Sequence, residues 1–179
     1  MSNRIQSWLS LAAILLVVAY AQTSLATVRT VAASGGGDFT TIAAAITAAS
    51  DGDIIHIIES PHTENNITIS KNLTIMGDGA DQTILQAHAN RLTAAQRIFT
   101  IADKSVTLRD LTLQHGHRTD ARGGAMLITG VSQITIERCH FTKNDTQCPA
   151  GGLNNLHGGA ICFDSANAGA TMTIQNSTF

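Results

Sequence analysis

The stretches VTLRDLTL (residues 106–113), ITIERCHF (134–141) and MTIQNSTF (172–179) decide the fold. Written one above another, they align Leu108 with Ile136 and Ile174, Leu111 with Cys139 and Ser177, and Leu113 with Phe141 and Phe179. The positions between hold Thr107, Thr135 and Thr173, then Thr112, His140 and Thr178. A strand sends successive side chains to opposite faces, so the first set is expected to point into a core and the second to solvent. Like residues recurring on like residues at a long period mark a solenoid, in which each coil stacks its inward side chains about 4.8 Å above those of the coil beneath. An antiparallel sandwich has no need of such matching, and it would favour Asn-Gly or Asp-Gly hairpins where this chain has long, uneven gaps. The aligned positions are 28 and then 38 residues apart, so the extra length is expected to bulge from one corner. The predicted fold class is therefore all-β, a single-stranded parallel β-helix.

Outward from these repeats, DIIHII, NITI, NLTIMG, TILQA, RIFTIA, AMLIT and AICF are short, rich in Ile, Thr, Val and Leu, and bounded by Gly, Asn or Asp, as strands are. One helix interrupts them. Ile42, Ala45, Ile46 and Ala49 recur at i, i+3, i+4 and i+7, which predicts an amphipathic helix over 41–49 with Asp38 or Thr40 near its N-cap and Asp51-Gly52 ending it. A solenoid leaves apolar rows and strand edges bare at its first coil, and the Ile/Ala face of this helix is suited to capping them. The domain is read as residues 27–179 and as incomplete at its C-terminus, with no second plug and with Phe179 opening a further turn.

The first 26 residues, MSNRIQSWLSLAAILLVVAYAQTSLA, put one cation, Arg4, before an apolar run from Trp8 to Ala19 and a small-residue ending. That run is shorter than a bilayer requires, so residues 1–26 read as a cleaved signal peptide, and the mature chain is expected to be secreted or at the cell surface without a transmembrane helix. A net charge of −2 with no basic cluster argues against a nucleic-acid partner. Export permits disulfides, and for Cys139, Cys148 and Cys162 a Cys148–Cys162 bridge and buried thiols both stay open.

No cofactor or metal is expected. His115-Gly116-His117 lacks a third ligand and reads as an exposed loop pair, and GDGADQT at 77–83 precedes a strand, where no phosphate cradle forms. Asp103, Asp110 and Asp120 come one per strand or loop, so their spacing demands no Ca²⁺. Asp145 and Asp164, on consecutive repeats, are the acidic pair that could approach as glycosidase carboxylates do.

Two resemblances follow from these motifs. VAASGGGDFTTIAAAITAASDGDIIHI together with NITISKNLTIMGDGADQTIL, within residues 31–85, resembles the opening of pectin methylesterases and other pectin-lyase-like β-helices, which implies a right-handed helix capped by the α-helix. Gly123-Gly124-Ala125-Met126 followed by Phe141-Thr142-Lys143-Asn144, and Gly158-Gly159-Ala160-Ile161 followed by Phe179, are similar to the G-G-A-I and F-x-x-N repeats of polymorphic outer-membrane proteins. That second likeness implies an adhesin-like or polysaccharide-binding surface protein with a host or cell-surface ligand. Stacking accounts for the same residues without a ligand: the glycines allow sharp turns, the phenylalanines share an inward column, and the Asn144 amide turns the chain.

ERCHFTKNDTQ (137–147) resembles the C-x-F-x-G-x-Q-D-T segment of pectin methylesterases, whose aspartate is a general acid and whose glutamine helps form the oxyanion pocket. The resemblance carries over to Cys139, Phe141, Asp145 and Thr146 and makes Asp145 the candidate catalytic residue. Asp145 nevertheless lies one residue nearer the cysteine than in that pattern, and Asn144 replaces the glutamine. The family's earlier glutamine falls on Gly123 or Gly124, and loss of one oxyanion donor typically costs about 10²–10³ in rate. The expectation is thus a binding or adhesin-like protein with no complete catalytic site, the alternative being a carbohydrate-active enzyme of the same fold, pectin methylesterase-like or polysaccharide lyase-like, with part of its site beyond Phe179.

Overall fold

The computed structural model describes residues 25–119, 122–147, 159–164 and 169–179; residues 1–24, Asp120, Cys148 and Gly158 lie outside them, and with residues 1–24 most of the expected signal peptide. The chain opens with β1 (Val28–Val31) and the helix α1 (Ile42–Ala48). It then makes one circuit through β2 (Ile54–Ile57), β3 (His62–Thr63) and β4 (Ile67–Ile69), and a second through β5 (Leu73–Met76), β6 (Ile84–Gln86) and β7 (Phe99–Ala102). The third adds a strand: β8 (Ser105–Arg109), β9 (Thr112–Gln114), β10 (His117–Thr119) and β11 (Met126–Thr129). The fourth copies it as β12 (Gln133–Glu137), β13 (His140–Thr142), β14 (Asp145–Gln147) and β15 (Ile161–Asp164), before β16 (Thr171–Gln175).

The strands sort into sheets β1-β2-β5-β8-β12-β16, β3-β6-β9-β13, β4-β7-β11-β15 and β10-β14. All their pairings are parallel, which is how a chain that returns to the same faces on each circuit, a parallel β-helix, must pair. Register places Ile55, Ile75, Leu108, Ile136 and Ile174 in one column, the first four fully buried. Leu85, Leu113 and Phe141 form another, and the Phe179 ring stacks on Phe141 with centroids 4.9 Å apart and planes 7° from parallel. Cys139 follows Leu111 into the core, where burial pushes its thiol up to about 11; Cys139 and Cys162 are both free. Thr112, expected to face solvent, is buried, because the 77–83 loop lies over it and the Ala80 carbonyl accepts its hydroxyl at 2.7 Å.

The helix buries Ile42, Ala45 and Ile46 and packs against β1, β2 and β4. Its N-cap is Thr41, whose hydroxyl accepts from the Ala44 amide at 3.2 Å; neither Asp38 nor Thr40 takes that place, and Asp38 binds the Thr30 amide and hydroxyl instead. The next coil completes the cap: the Glu64 carboxylate accepts from the Ile42 amide at 2.6 Å and the Ala43 amide at 3.0 Å, with His62 Nε2 3.1 Å away. An anion is favoured where unpaired amides gather at a helix start. Burial raises the Glu64 pKa, but the His62 bond and the two amides outweigh it and hold the group below its ordinary value. Asp53 is likewise lowered, first by the Ser50 amide and, against burial, by Thr27 and Arg29.

A carboxylate whose pKa is lower folded than unfolded contributes stability that is present above the unfolded value, about 4, and lost as pH falls through the folded one. Thermal melts followed by circular dichroism should therefore be level between about pH 5 and 7 and fall in midpoint below about 4. Glu64→Ala should cost about 1–3 kcal/mol at pH 7 and shrink that acid-side loss; an unchanged pH dependence would remove Glu64 from this account.

Candidate functional site

Asparagine 144 builds the site by tying one coil to the next. Its side-chain oxygen accepts from the Gly116 amide at 2.8 Å, its amide donates to the Leu113 carbonyl at 2.8 Å, and the Asp145 amide donates to the Gly116 carbonyl at 3.0 Å. The turn itself is made by Lys143, at φ 53°, over His115, at φ 59°. Held this way, β10 runs beside β14 with His117 opposite Asp145 and Thr119 opposite Gln147.

His117 Nδ1 lies 2.7 Å from Asp145 Oδ1, and Arg91 Nη2 donates to Oδ2 at 2.8 Å. On the other side of the imidazole, Nε2 is 3.4 Å from the Thr119 hydroxyl. Arg91 comes from a short 3₁₀ turn, Arg91–Thr93, capped by Asn90, whose side chain accepts from the Leu92 amide at 2.9 Å. That turn is pinned through His88, which bonds the Thr93 hydroxyl at 2.9 Å and takes His115 Nδ1 on its carbonyl at 2.9 Å. Between the turn and β14 lies an open cleft of about 350 Å³ lined by Arg91, Leu92, Ala94, His117, Asp145 and Gln147. The Asp145 and Arg91 side chains are 40% and 46% exposed, whereas His117 is 16% exposed.

Burial raises the Asp145 pKa, but the hydrogen bond and charge of His117 and the Arg91 guanidinium outweigh it, so the group is held below its ordinary value. The glycines are equally decisive. A Cβ on Gly124 would run into the Gly159 and Asp145 carbonyl oxygens and come within 2.8 Å of the Asp145 nitrogen, and Gly123 has φ +66°. With the Gly124 amide bonded to Gly159 at 2.8 Å and Ala125 to Ala160 at 2.8 Å, neither glycine position can carry a glutamine.

The other predicted site residues take structural partners. Asp110 receives the Arg138 fork at 2.6 and 2.9 Å, Asp103 accepts from the Val131 amide at 2.8 Å, and Asp164 binds Arg122 at 2.5 Å. Asp145 and Asp164 hold different arginines and belong to different sheets. His115 and His117 were expected as an exposed loop pair, but His117 is a strand residue turned to Asp145 while His115 turns to His88. Among the described residues no cluster of three or more His, Cys, Asp or Glu side chains could hold a metal ion, and no helix is long and apolar enough to cross a membrane. Sequence reasoning missed His117 and Arg91. The first was signalled by its spacing: His117 precedes Asp145 by 28 residues, the interval that separates Leu108 from Ile136.

The chain is thus a parallel β-helix with a polar cleft along one side. Within it, the pectinesterase family pattern matches residues 28–147, and the chain belongs to the pectinesterase family. It is 28% identical over 122 residues to pectinesterase 3 of Solanum lycopersicum, covering 63% of this chain and 22% of that protein. It is 33% identical over 96 residues to probable pectinesterase/pectinesterase inhibitor 32 of Arabidopsis thaliana, covering 48% of this chain and 18% of the other. The chain thus spans about a fifth of the length of these curated relatives. Among solved structures, it is similar to a pectin methylesterase from carrot at 18% identity and a TM-score of 0.35, covering 83% of this chain and 61% of that one.

A glutamine at the coil junction should be harmful. Gly124→Gln is expected to lower stability in urea unfolding by about 1–3 kcal/mol or more through overpacking, and a variant as stable as the parent would show that the coils can part there.

Proposed function

We propose that this chain is an exported pectinesterase-type protein whose cleft at Arg91, His117 and Asp145 receives the carboxyl ester of a uronic-acid polysaccharide. The observation that carries this reading is the Asp145 carboxylate, held by Arg91 and His117 beside an open cleft and inside the segment that matches the family. The half-exposed Arg91 guanidinium supplies positive charge for a neighbouring carboxylate or for the oxyanion of ester cleavage. Export rests on the leader-like residues 1–26. The right-handed sense belongs to the same reading, supported by the rule that parallel crossovers wind right-handed. So does a capping role for α1, supported by its packing on β1 and β4, which stand at the edges of their sheets.

The adhesin-like reading loses its footing here. Gly123, Gly124, Asn144 and Phe141 are engaged in coil-to-coil contacts, which leaves the repeat motifs without a surface role to explain.

Methylated pectin incubated with the purified chain should release methanol, and Asp145→Asn should lower that rate by about 10²–10⁴ while the melting temperature stays near that of the parent. A chain that releases no methanol and also fails to bind methylated pectin in affinity electrophoresis would end the proposal.

A further inference from the structure

We infer that Arg97 and Arg118 form a binding site for a small oxyanion, of the phosphate or carboxylate kind, on the side of β10 away from the cleft. The inference is independent of the ester-cleaving reading and goes beyond it. Arg97 is 7% exposed, yet among the described residues its guanidinium forms no ion pair and its Nη1 has no hydrogen bond. A guanidinium carries donors only and keeps its charge, so burying one without an acceptor costs more than burying an unpaired neutral group. Arg118 is half-satisfied in the same way: its Nη1 donates to Gln96 Oε1 at 2.6 Å, while its Nε is buried without a partner.

Gln96 ties the two arginines together. It precedes Arg97 in the chain, its side-chain oxygen holds Arg118, and its backbone carbonyl accepts from the His117 amide at 3.1 Å. Side chains alternate along a strand and His117 borders the cleft, so Arg118 faces the other way. Burial first, and the Arg118 charge second, push the Arg97 guanidinium below its ordinary value.

No described acid relieves the pair. Asp145 is taken by His117 and Arg91 on the cleft face, and Asp164 by Arg122 at 2.5 Å. The Cys162 thiol acts on Arg97 in the relieving direction, but burial holds that thiol above its own ordinary value. The coils above bring no side chain either. Arg97 stands two residues ahead of Phe99, and the positions two ahead of the paired Met126 and Ile161 are Gly124 and Gly159. Two like charges held on either side of one glutamine, with donors unspent, suit an oxyanion, because the guanidinium fork matches the oxygens of a carboxylate or a phosphate.

The test uses the whole chain, with sodium phosphate and separately sodium acetate replacing sodium chloride at constant ionic strength. At least one of the two should raise the parent's melting midpoint by about 2–8 °C, and the anion giving the larger gain identifies the ligand chemistry. In Arg97→Met, similar in length and without charge, the gain should vanish, while the midpoint in chloride stays at or above the parent's because the buried charge is gone. Guanidinium NMR of the parent should show the Arg97 and Arg118 Nε–H signals moving as the anion is added, a readout that needs no variant. The inference falls if neither anion raises the midpoint above its value in chloride, if Arg97→Met keeps the gain, or if both Nε–H signals stay in place.

Discussion

The paired strands of each coil in this chain lie above their counterparts in the coil before, and parallel hydrogen bonding allows no drift from that register. A slip of one residue would turn Ile75, Leu108 and Ile136 from the core to solvent together, so the apolar columns and the ladders fix each other. Even unfavourable backbone is replicated by stacking. Asp110, Arg138 and Asn176 all take left-handed φ values, 59°, 50° and 50°, at corresponding corners, and none is glycine. A left-handed conformation persists at such positions when the surroundings over-determine it. Here the Arg138 fork on Asp110 and the bond from the Arg138 amide to the Gln175 carbonyl supply that constraint.

The same register builds the cleft. Once the 28-residue interval between the third and fourth coils is set by Leu108 and Ile136, an outward strand residue of the third is brought beside the one 28 places on, as His117 is beside Asp145. Asn144 then does locally what the columns do globally: it spends its oxygen and its amide on the preceding coil, so that a bend between two short strands cannot slide. Arg91 enters from a different direction, on a turn held by His88, and it is the contact that depends least on the repeat.

What was legible in the amino acids follows this division. The columns of Leu, Ile and Phe, the helix over residues 42–48 and the close glycine turns are dictated by periodicity and by sterics, and these appear in the residue pattern itself. The strands β10 and β14 were not legible as strands, because His117-Arg118-Thr119 and Asp145-Thr146-Gln147 carry no apolar alternation and bury no face completely. Thr112 looked like a solvent position because its alternation was right; a loop from an earlier coil covers it, and local sequence holds no trace of that. The Arg91–Asp145 contact spans 54 residues of chain and falls outside any repeat interval. The helix cap was misplaced by a residue for a related reason, since half of that cap is Glu64, from the following coil.

A physical conflict explains why this cleft departs from the glutamine-bearing pattern it resembles. A donor side chain at residue 124 needs separation between coils, whereas here the coils meet backbone to backbone, with Gly124 bonded to Gly159 and crowded by Asp145. Tight stacking and a side-chain donor cannot occupy the same place, and the tight stack is the arrangement present. The side chains such a frame offers to a ligand are those that stacking pushes outward, ahead of the glycine junctions rather than at them. His117, Asp145 and Arg91 are of that kind: all three border the cleft, and none is needed to fill a column of the core.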